Sequence, residues 1–570
     1  MYYQPILNIA EICAQKGVED AILSPGSRCA PLIIVFARHP EIETKSVTDE
    51  RTAAFIALGI ALHKQKPTVC VCTSGTAALN YGPAIAEAFY QNIPLIVLTA
   101  DRPPEWLDQQ DGQTIRQTNL YGSHVKASYN IPVDPSHPDA VWHVERTISE
   151  AINLAMTVPY GPVHLNVPFR EPFYPEPNEQ LEFDTSVKVI DQMESDCMLS
   201  ESQWDELIAT ANKVNNIVIV GGQERKDHRL IEALKTLKQK TAITVIGDII
   251  TNLHPLEHLI RHPDLILMPT ADRFKKTLQP NLLITFGQST ISKNLKLYLR
   301  AYKATHHWHI QLAGPVADAY QSLRKILRVS PAYFFKEFSQ RFDGHQLNLG
   351  YNESWLKLEE EVKTLFDSFW ASKPNFTDLE AIKRIMDCLP DNSFLHLGNS
   401  TAVRYANFVG LNNPTIEVFS NRGTSGIDGS TSTAVGHSLS TTKLNILIVG
   451  DVAFFYDRNA LWHQHLPPNL RIVVMNNHGG GIFKLIKGPS QLPEVNDFFV
   501  TKQPLSAELT AQEFKLDYLS CHSREELQQH LARFFVDDGT AKILEIFTDL
   551  DTNTKIFHQL KRHISNRYGK

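Results

Sequence analysis

The chain has 570 residues, of which 43% are hydrophobic and 21% charged, and a formal net charge of −7. That length predicts about three domains, and the composition is that of a globular enzyme rather than a disordered or fibrous chain. No basic tail or stripe marks a nucleic-acid binder, and no stretch approaches the roughly 20 consecutive apolar residues needed to enter a membrane.

The N-terminal MYYQPILNIA lacks a basic leader followed by a long apolar core, so no signal peptide is expected. In the first third the apolar run TVCVCTSG precedes a helical pattern over Ala77 to Phe89, and PLIVLTA follows. Cys70 and Cys72, the closest pair of seven scattered cysteines, lie in that first run. They read as small buried hydrophobes, and a reducing, cytoplasmic compartment is expected. The middle third carries NIVIVGG, TAITVIGD, LLITFGQS and HWHIQL. The last third carries SFLHLGNS, NILIVGD, RIVVMNN and KILEIFTD. Continuous rather than alternating apolar strands, separated by helices, imply parallel sheets covered on both faces. Two polar breaks, REPFYPEPNEQLEFDTS from Arg170 and DGHQLNLGYN from Asp343, divide the pattern. The predicted fold is α/β, with three doubly wound parallel-sheet domains over residues 1–180, 190–350 and 355–570.

Open parallel sheets bind ligands beyond the carboxyl ends of their strands. The segments at those positions are SPGSR, TDER, TSGT and TADRPP in the first third, and GNSTAVR, SNRGTSGIDG, GDVAFFYD and NNHGGGIF in the last. Asp451 ends an apolar strand, where an isolated carboxylate is costly unless something pairs with it. Asn477 follows 26 residues later, about one strand–helix–strand unit, so both loops emerge at one sheet edge. A carboxylate, an amide oxygen and a carbonyl from Gly479 to Gly481 form a hard-oxygen set suited to Mg2+ and phosphate oxygens. The glycines allow close backbone approach to a diphosphate. Arg28, Arg102, Arg404 and Arg422 all stand in loops after strands or just inside the next helix, where guanidinium groups match carboxylates. The histidines of HHWH, His306 to His309, lie in a strand-like run and give no metal signal.

The Asp451…Asn477 pair resembles the diphosphate-binding motif of thiamine diphosphate (ThDP) enzymes, with Val452 standing where a further glycine is usual. SPGSRCAPL, TSGTAALN, LTADRPPE, GQTIRQ, SNRGTSGIDG and GDVAFFYDRNAL together resemble one family, the 2-succinyl-5-enolpyruvyl-6-hydroxy-3-cyclohexene-1-carboxylate synthases of menaquinone biosynthesis. The resemblance implies a ThDP-dependent transferase that decarboxylates 2-oxoglutarate and adds the remaining unit in a 1,4 fashion to isochorismate. It implies Mg2+ (or Mn2+) on Asp451, Asn477 and the Gly479 carbonyl. It places the cofactor against Glu50, Thr76, Ile427, Gly450, Asp451, Val452, Ile482 and Phe483. Glu50 would bond the aminopyrimidine ring, and Ile427 would bend the cofactor. Substrate contacts would fall to Ser27, Arg28, Arg102, Lys293, Ser400, Arg404 and Arg422, with Glu50, Arg28, Gln113 and Arg404 serving catalysis. Gly112 and Asn294 stand where relatives carry asparagine and arginine. The resemblance further implies a homodimer or homotetramer with active sites at subunit interfaces. Two other readings remain at this stage. One is a different ThDP-dependent carboligase or 2-oxoacid decarboxylase. The other is an NAD-binding sensor built on NIVIVGGQERKD, which lacks the full G-x-G-x-x-G spacing.

Overall fold

The computed structural model describes residues 4–134, 137–171, 173–175, 180–268, 272–372, 374–486 and 488–568. Residues 172 and 176–179 of the expected linker after Arg170 lie outside the described residues.

Three parallel sheets form the chain. The first holds β1 (Asp20–Leu23), β2 (Glu43–Ser46), β3 (Thr68–Cys72), β4 (Leu95–Asp101), β5 (Ser128–Asn130) and β6 (Val163–Pro168), in the order β2-β1-β3-β4-β6-β5. The second holds β7 (Ile217–Gly221), β8 (Thr244–Gly247), β9 (Leu282–Phe286), β10 (His306–Ile310) and β11 (Lys325–Leu327), in the order β11-β10-β9-β7-β8. The third holds β12 (Phe394–Leu397), β13 (Glu417–Phe419), β14 (Asn445–Gly450), β15 (Leu470–Asn476), β16 (Asp517–Cys521) and β17 (Lys542–Phe547), in the order β13-β12-β14-β15-β17-β16. The first and third sheets therefore share one topology. The central strands β3, β9 and β15 are buried along their whole length, as two-sided burial of continuous apolar runs requires.

The elements that the periodicity did not announce are short or polar. β6 contains His164 and Asn166 and is still fully buried. Its polar groups are satisfied sideways: His164 Nε2 bonds Thr99 Oγ1 at 2.8 Å and Nδ1 bonds Ser128 Oγ at 2.9 Å. The helical stretch expected over Ala77–Phe89 is two helices, Thr76–Asn80 and Gly82–Gln91, broken at Tyr81. Pro83 starts the second helix, where its missing N–H costs nothing. After Arg170 the described chain from residue 180 to residue 200 carries no helix or strand. It is tied to the first domain by Lys16 and Asn153, both of which donate to Ile190 O.

The first and third domains meet through two helices, Glu50–Lys64 and Ser430–Leu439. A Cβ on Gly436 would stand 2.0 Å from Ile56 O, and one on Gly59 would stand 2.2 Å from Thr433 O. The two backbones are therefore in direct contact. Beside this crossing a buried histidine chain spans the domains. His63 Nδ1 lies 3.2 Å from His437 Nε2, and Asn445 Oδ1 takes His437 Nδ1 at 2.8 Å and His396 Nε2 at 3.0 Å. A second junction joins all three domains. Glu87, 1% exposed, accepts from Gly423 N, Thr424 N, Thr424 Oγ1 and Gln91 Nε2 at 2.5–2.8 Å. Gln223 of the middle domain donates to Gln91 Oε1 and to Ser420 O, and Gln288 donates to Gln91 O.

Both junctions are testable. Burial holds His396 neutral down to about 4, whereas an unfolded histidine takes a proton near 6.5. As pH falls below 6.5 the unfolded state binds the proton first, so stability is lost progressively until pH reaches the folded value. His396→Gln keeps a donor for Asn445 and removes the titration. Between pH 7 and pH 5 the variant should lose about 2 kcal/mol less unfolding free energy than the parent. Equal losses in urea titrations at the two pH values would refute this. Glu87→Ala leaves four donors without their acceptor, so the denaturation midpoint should fall by the equivalent of about 3 kcal/mol at unchanged m-value.

Candidate functional site

At the carboxyl edge of the first sheet, the loop after β1 carries Ser27, which is exposed, and Arg28, which is 8% exposed. Arg28 donates to Phe169 O at 3.1 Å and its guanidinium lies 4.7 Å over the Phe173 ring. Burial, and next the charge of Arg102, lower its proton affinity. Arg102, directly after β4, pairs with Asp111 at 2.5 Å and donates to Gly112 O at 3.0 Å. The loop that holds Arg102 thereby presents the next residue, Gln113, exposed and at φ 55°. Gly75, at φ +86°, lies under Gln113: a Cβ there would meet the Gln113 backbone at 3.2 Å. Thr76 is exposed and opens the helix Thr76–Asn80. Glu50 opens the helix Glu50–Lys64 behind an Asp49 cap that accepts from Thr52 N, and Glu50 Oε2 accepts from Asn80 Nδ2 at 3.4 Å.

At the carboxyl edge of the third sheet, Ser400 sits after β12 at φ 70° and ψ −122°, a conformation rarely adopted by a residue with a side chain. Its carbonyl is clamped by Arg404 Nη1 at 2.6 Å. Arg422 follows β13 and donates to Asn399 Oδ1 at 2.8 Å, while Asn399 Nδ2 holds Asn421 O and Gly426 O. Burial lowers the proton affinity of both arginines, and the Arg404 charge lowers that of Arg422 further. Arg28, Arg404 and Arg422 make no ion pair among the described residues. Ile427, on the same loop as Arg422, is 39% exposed.

The corner between β14 and β15 holds Gly450, Asp451 and Val452 on one side and Asn477 to Phe483 on the other. Asp451 is 2% exposed; its Oδ2 accepts from Gly479 N and Gln503 Nε2, both at 2.8 Å, and its Oδ1 accepts from Val452 N. Burial pushes its carboxyl up to about 6. Asn477 Nδ2 is bound to Asp378, but Asn477 Oδ1 is buried with no partner among the described residues. Such an orphaned acceptor beside a buried carboxylate is the donor chemistry a hard cation takes. Among the described residues no three His, Cys, Asp or Glu side chains form an ion site, and this set has one carboxylate. Gly450 has open space at its Cβ position, and a Cβ on Gly479 would strike Val500 at 2.8 Å. Ile482 and Phe483 start a short helix, Ile482–Leu485, and are half-buried.

Apart from Lys293, the predicted residues lie at these two edges. Among the described residues no hydrogen bond or ion pair links Arg28, Arg102 or Gln113 to Ser400, Arg404 or Arg422, nor Glu50 to Asp451 or Asn477. Lys293 is exposed at the start of the helix Lys293–Ala301. One turn on, Lys296 is half-buried among the charges of Asp248, Arg422, Arg300 and Asp264. The sequence reading passed over Lys296. It also passed over Gln117, which is 0% exposed, accepts from Gly75 N and donates to Ala100 O and Asn166 Oδ1. Thr73 Oγ1 and Ser74 Oγ, beside Gly75, are further buried groups without a partner. The HHWH histidines are structural: His307 and His309 both bond Thr285 Oγ1.

Residues 8–120 match the N-terminal TPP binding domain of thiamine pyrophosphate enzymes, and residues 183–397 match their middle domain. Curated relatives align over almost the whole chain. The 2-succinyl-5-enolpyruvyl-6-hydroxy-3-cyclohexene-1-carboxylate synthase of Cytophaga hutchinsonii is 43% identical, covering 99% of this chain and 100% of its own. Those of Flavobacterium johnsoniae and Desulfotalea psychrophila are 38% and 37% identical, over 98% and 96% of this chain and 98% of each of their own. The NAD-sensor reading of NIVIVGGQERKD has no place beside these matches; Gly222 abuts Gln288, so that loop is packed against its neighbour. The chain belongs to the 2-succinyl-5-enolpyruvyl-6-hydroxy-3-cyclohexene-1-carboxylate synthase family of thiamine pyrophosphate enzymes.

Proposed function

We propose that the chain catalyses the reaction of its family. It is a ThDP-dependent transferase of menaquinone biosynthesis that releases CO2 from 2-oxoglutarate and joins the four-carbon remainder to isochorismate by 1,4-addition. The observation that carries the substrate class is the set of three arginines, Arg28, Arg404 and Arg422, that face no ion-paired carboxylate. Both substrates are dicarboxylates, and partly desolvated guanidinium groups that no carboxylate contacts directly remain available to bind an arriving anion.

When bound, ThDP supplies the carbon nucleophile and the electron sink for loss of CO2. The chain supplies orientation and charge. Asp451, Asn477 Oδ1 and the Gly479 carbonyl would hold Mg2+ or Mn2+, and Gly450 and Val452 would border the diphosphate. Glu50 would hydrogen-bond the pyrimidine ring, and Thr76, Ile427, Ile482 and Phe483 would pack against the cofactor. Arg404 and Arg422, with Ser400, take the carboxylates on the third sheet's edge. Ser27, Arg28, Arg102 and Gln113 take them on the first, and Lys293 closes the site from the middle domain. Residues 1–180 form the pyrimidine side, 190–350 the central domain and 355–570 the diphosphate side. The enzyme works in the cytoplasm, a setting supported by its seven free cysteines. Among the described residues no helix is long and apolar enough to cross a membrane.

The first test is CO2 release from 2-oxoglutarate with ThDP and Mg2+, with and without isochorismate. Release should require ThDP and rise at least about tenfold when isochorismate is present to consume the intermediate. Release from pyruvate and not from 2-oxoglutarate would retain the cofactor chemistry and reject the substrates.

The enzyme is further proposed to be a dimer or tetramer in which Glu50 of one subunit serves the Asp451 site of another. Helix-to-helix contact already occupies the face of the first domain against the third within one chain. Glu50→Ala and Asp451→Ala proteins, each inactive alone, should then regain up to about a quarter of parental activity after mixing and subunit exchange, the share of sites with both residues intact. Absence of any recovery in exchanged hetero-oligomers would place both residues in the same subunit's site.

A further inference from the structure

Asp378 is a buried carboxylate that no step above uses. It follows the Thr377 cap as the first residue of the helix Asp378–Asp387, ahead of β12, and is 2% exposed. Its Oδ2 accepts from Asn477 Nδ2 at 2.7 Å, and its Oδ1 accepts from Thr548 Oγ1 at 2.5 Å. Its backbone N–H donates to Asn553 Oδ1 at 3.1 Å, and Asn553 Nδ2 donates to Thr548 Oγ1 at 2.9 Å. The carboxylate is thus held at both oxygens and through its own backbone, with no cation in the set.

The consequence falls on Asn477. A primary amide can present either its oxygen or its NH2 to a given point, and only the oxygen binds a cation. With Nδ2 committed to Asp378, the flipped rotamer would set the amide oxygen against a carboxylate oxygen, which is repulsive. Asn477 Oδ1 is thereby left pointing into a buried corner with no partner, on the same loop as Gly479, whose N–H holds Asp451. A carboxylate behind the amide also polarises it and increases the negative charge on the outward oxygen. Partners of this kind fix the orientation and basicity of metal ligands.

We propose that Asp378 is a positioning residue for the cation site: it locks the Asn477 amide so that Oδ1 faces the ion that accompanies ThDP, and it adds a second negative charge behind a site with one carboxylate ligand. This rests on the reading of Asp451, Asn477 and Gly479 as the cation set.

The test is the affinity for Mn2+ in the presence of saturating ThDP, read from the electron paramagnetic resonance signal of free Mn2+, which needs no turnover. Asp378→Ala should weaken Mn2+ binding about 10–100-fold, approaching the loss in Asn477→Ala. Asp378→Asn retains an oxygen that accepts from Asn477 Nδ2, so it should recover most of that loss. Thr548→Val removes the hydroxyl on the far oxygen and leaves the Asn477 contact, so it should stay within about threefold of the parent. If Asp378→Ala does not fold, Asp378→Leu, closer in volume, replaces it. Parental affinity in the Ala or Leu variant overturns the proposal, as does a Thr548→Val loss as large as theirs. Parental affinity in Asn477→Ala overturns the ligand set itself, and the proposal with it. A defective Asn477→Ala beside a parental Asp378→Ala overturns the proposal alone.

Discussion

The contact at Gly59 and Gly436 sets the geometry on which both site edges depend. Two helices meet there backbone to backbone, with no room for even a methyl group on either glycine. The helix that starts at Glu50 is buried from Thr52 to Ala61, so it has no solvent-facing side along which to slide. Its partner, Ser430–Leu439, directly follows the loop that carries Arg422 and Ile427. The position of one crossing therefore fixes the first domain's Glu50 corner and the third domain's arginine loop relative to one another. Asp49, which accepts from Asn459, and Arg51, which donates to Tyr456 O, pin the same end of the helix.

Around this frame, charge is distributed unevenly. Arg471 is fully engaged: it is 0% exposed and donates to the carbonyls of Pro468, Leu470, Phe534, Val536 and Thr540. Arg225 pairs with Glu417 and stacks on Phe419. Arg28, Arg404 and Arg422 are anchored by neutral groups instead, which orient the guanidinium without neutralising it. Two neighbouring cations that push on each other, as Arg404 and Arg422 do, raise the energy of the free site and lower that of a site holding a dianion.

Positive φ at residues other than glycine occurs along the described chain, from Gln65 to Lys515, and the site edges have their share. Ser400, Gln113 and His478 all have positive φ without being glycine, and each stands in a loop beyond a strand's carboxyl end. Local hydrogen bonds hold them there: Arg404 on the Ser400 carbonyl, Arg102 on the Gly112 carbonyl before Gln113, and Asn476 Oδ1 accepting from the His478 N–H. Strain of roughly 1–3 kcal/mol per residue is retained when surrounding contacts over-determine it.

Local patterns determined a large part of this protein. Apolar runs too continuous for a half-exposed sheet determined that the strands are parallel and buried, because only two-sided burial tolerates them. The candidate site residues stood out by position: Arg28, Glu50, Arg102, Arg422 and Asp451 all lie within a few residues of a strand's carboxyl end, where sheet geometry leaves polar side chains at an edge. Strands β5, β11 and β16 escaped, since SYN, KIL and DYLSC are partly exposed and form no continuous apolar run. Tertiary structure alone decided which polar groups are engaged and which stand free. Asp378 is 99 residues from Asn477, and Glu87 is 336 residues from Gly423; no spacing rule connects such positions. Lys293 and Lys296 look alike in sequence, one turn apart, yet one faces solvent and the other a cluster of charges. That distinction belongs to packing between domains, where burial and partners are set by residues far away along the chain.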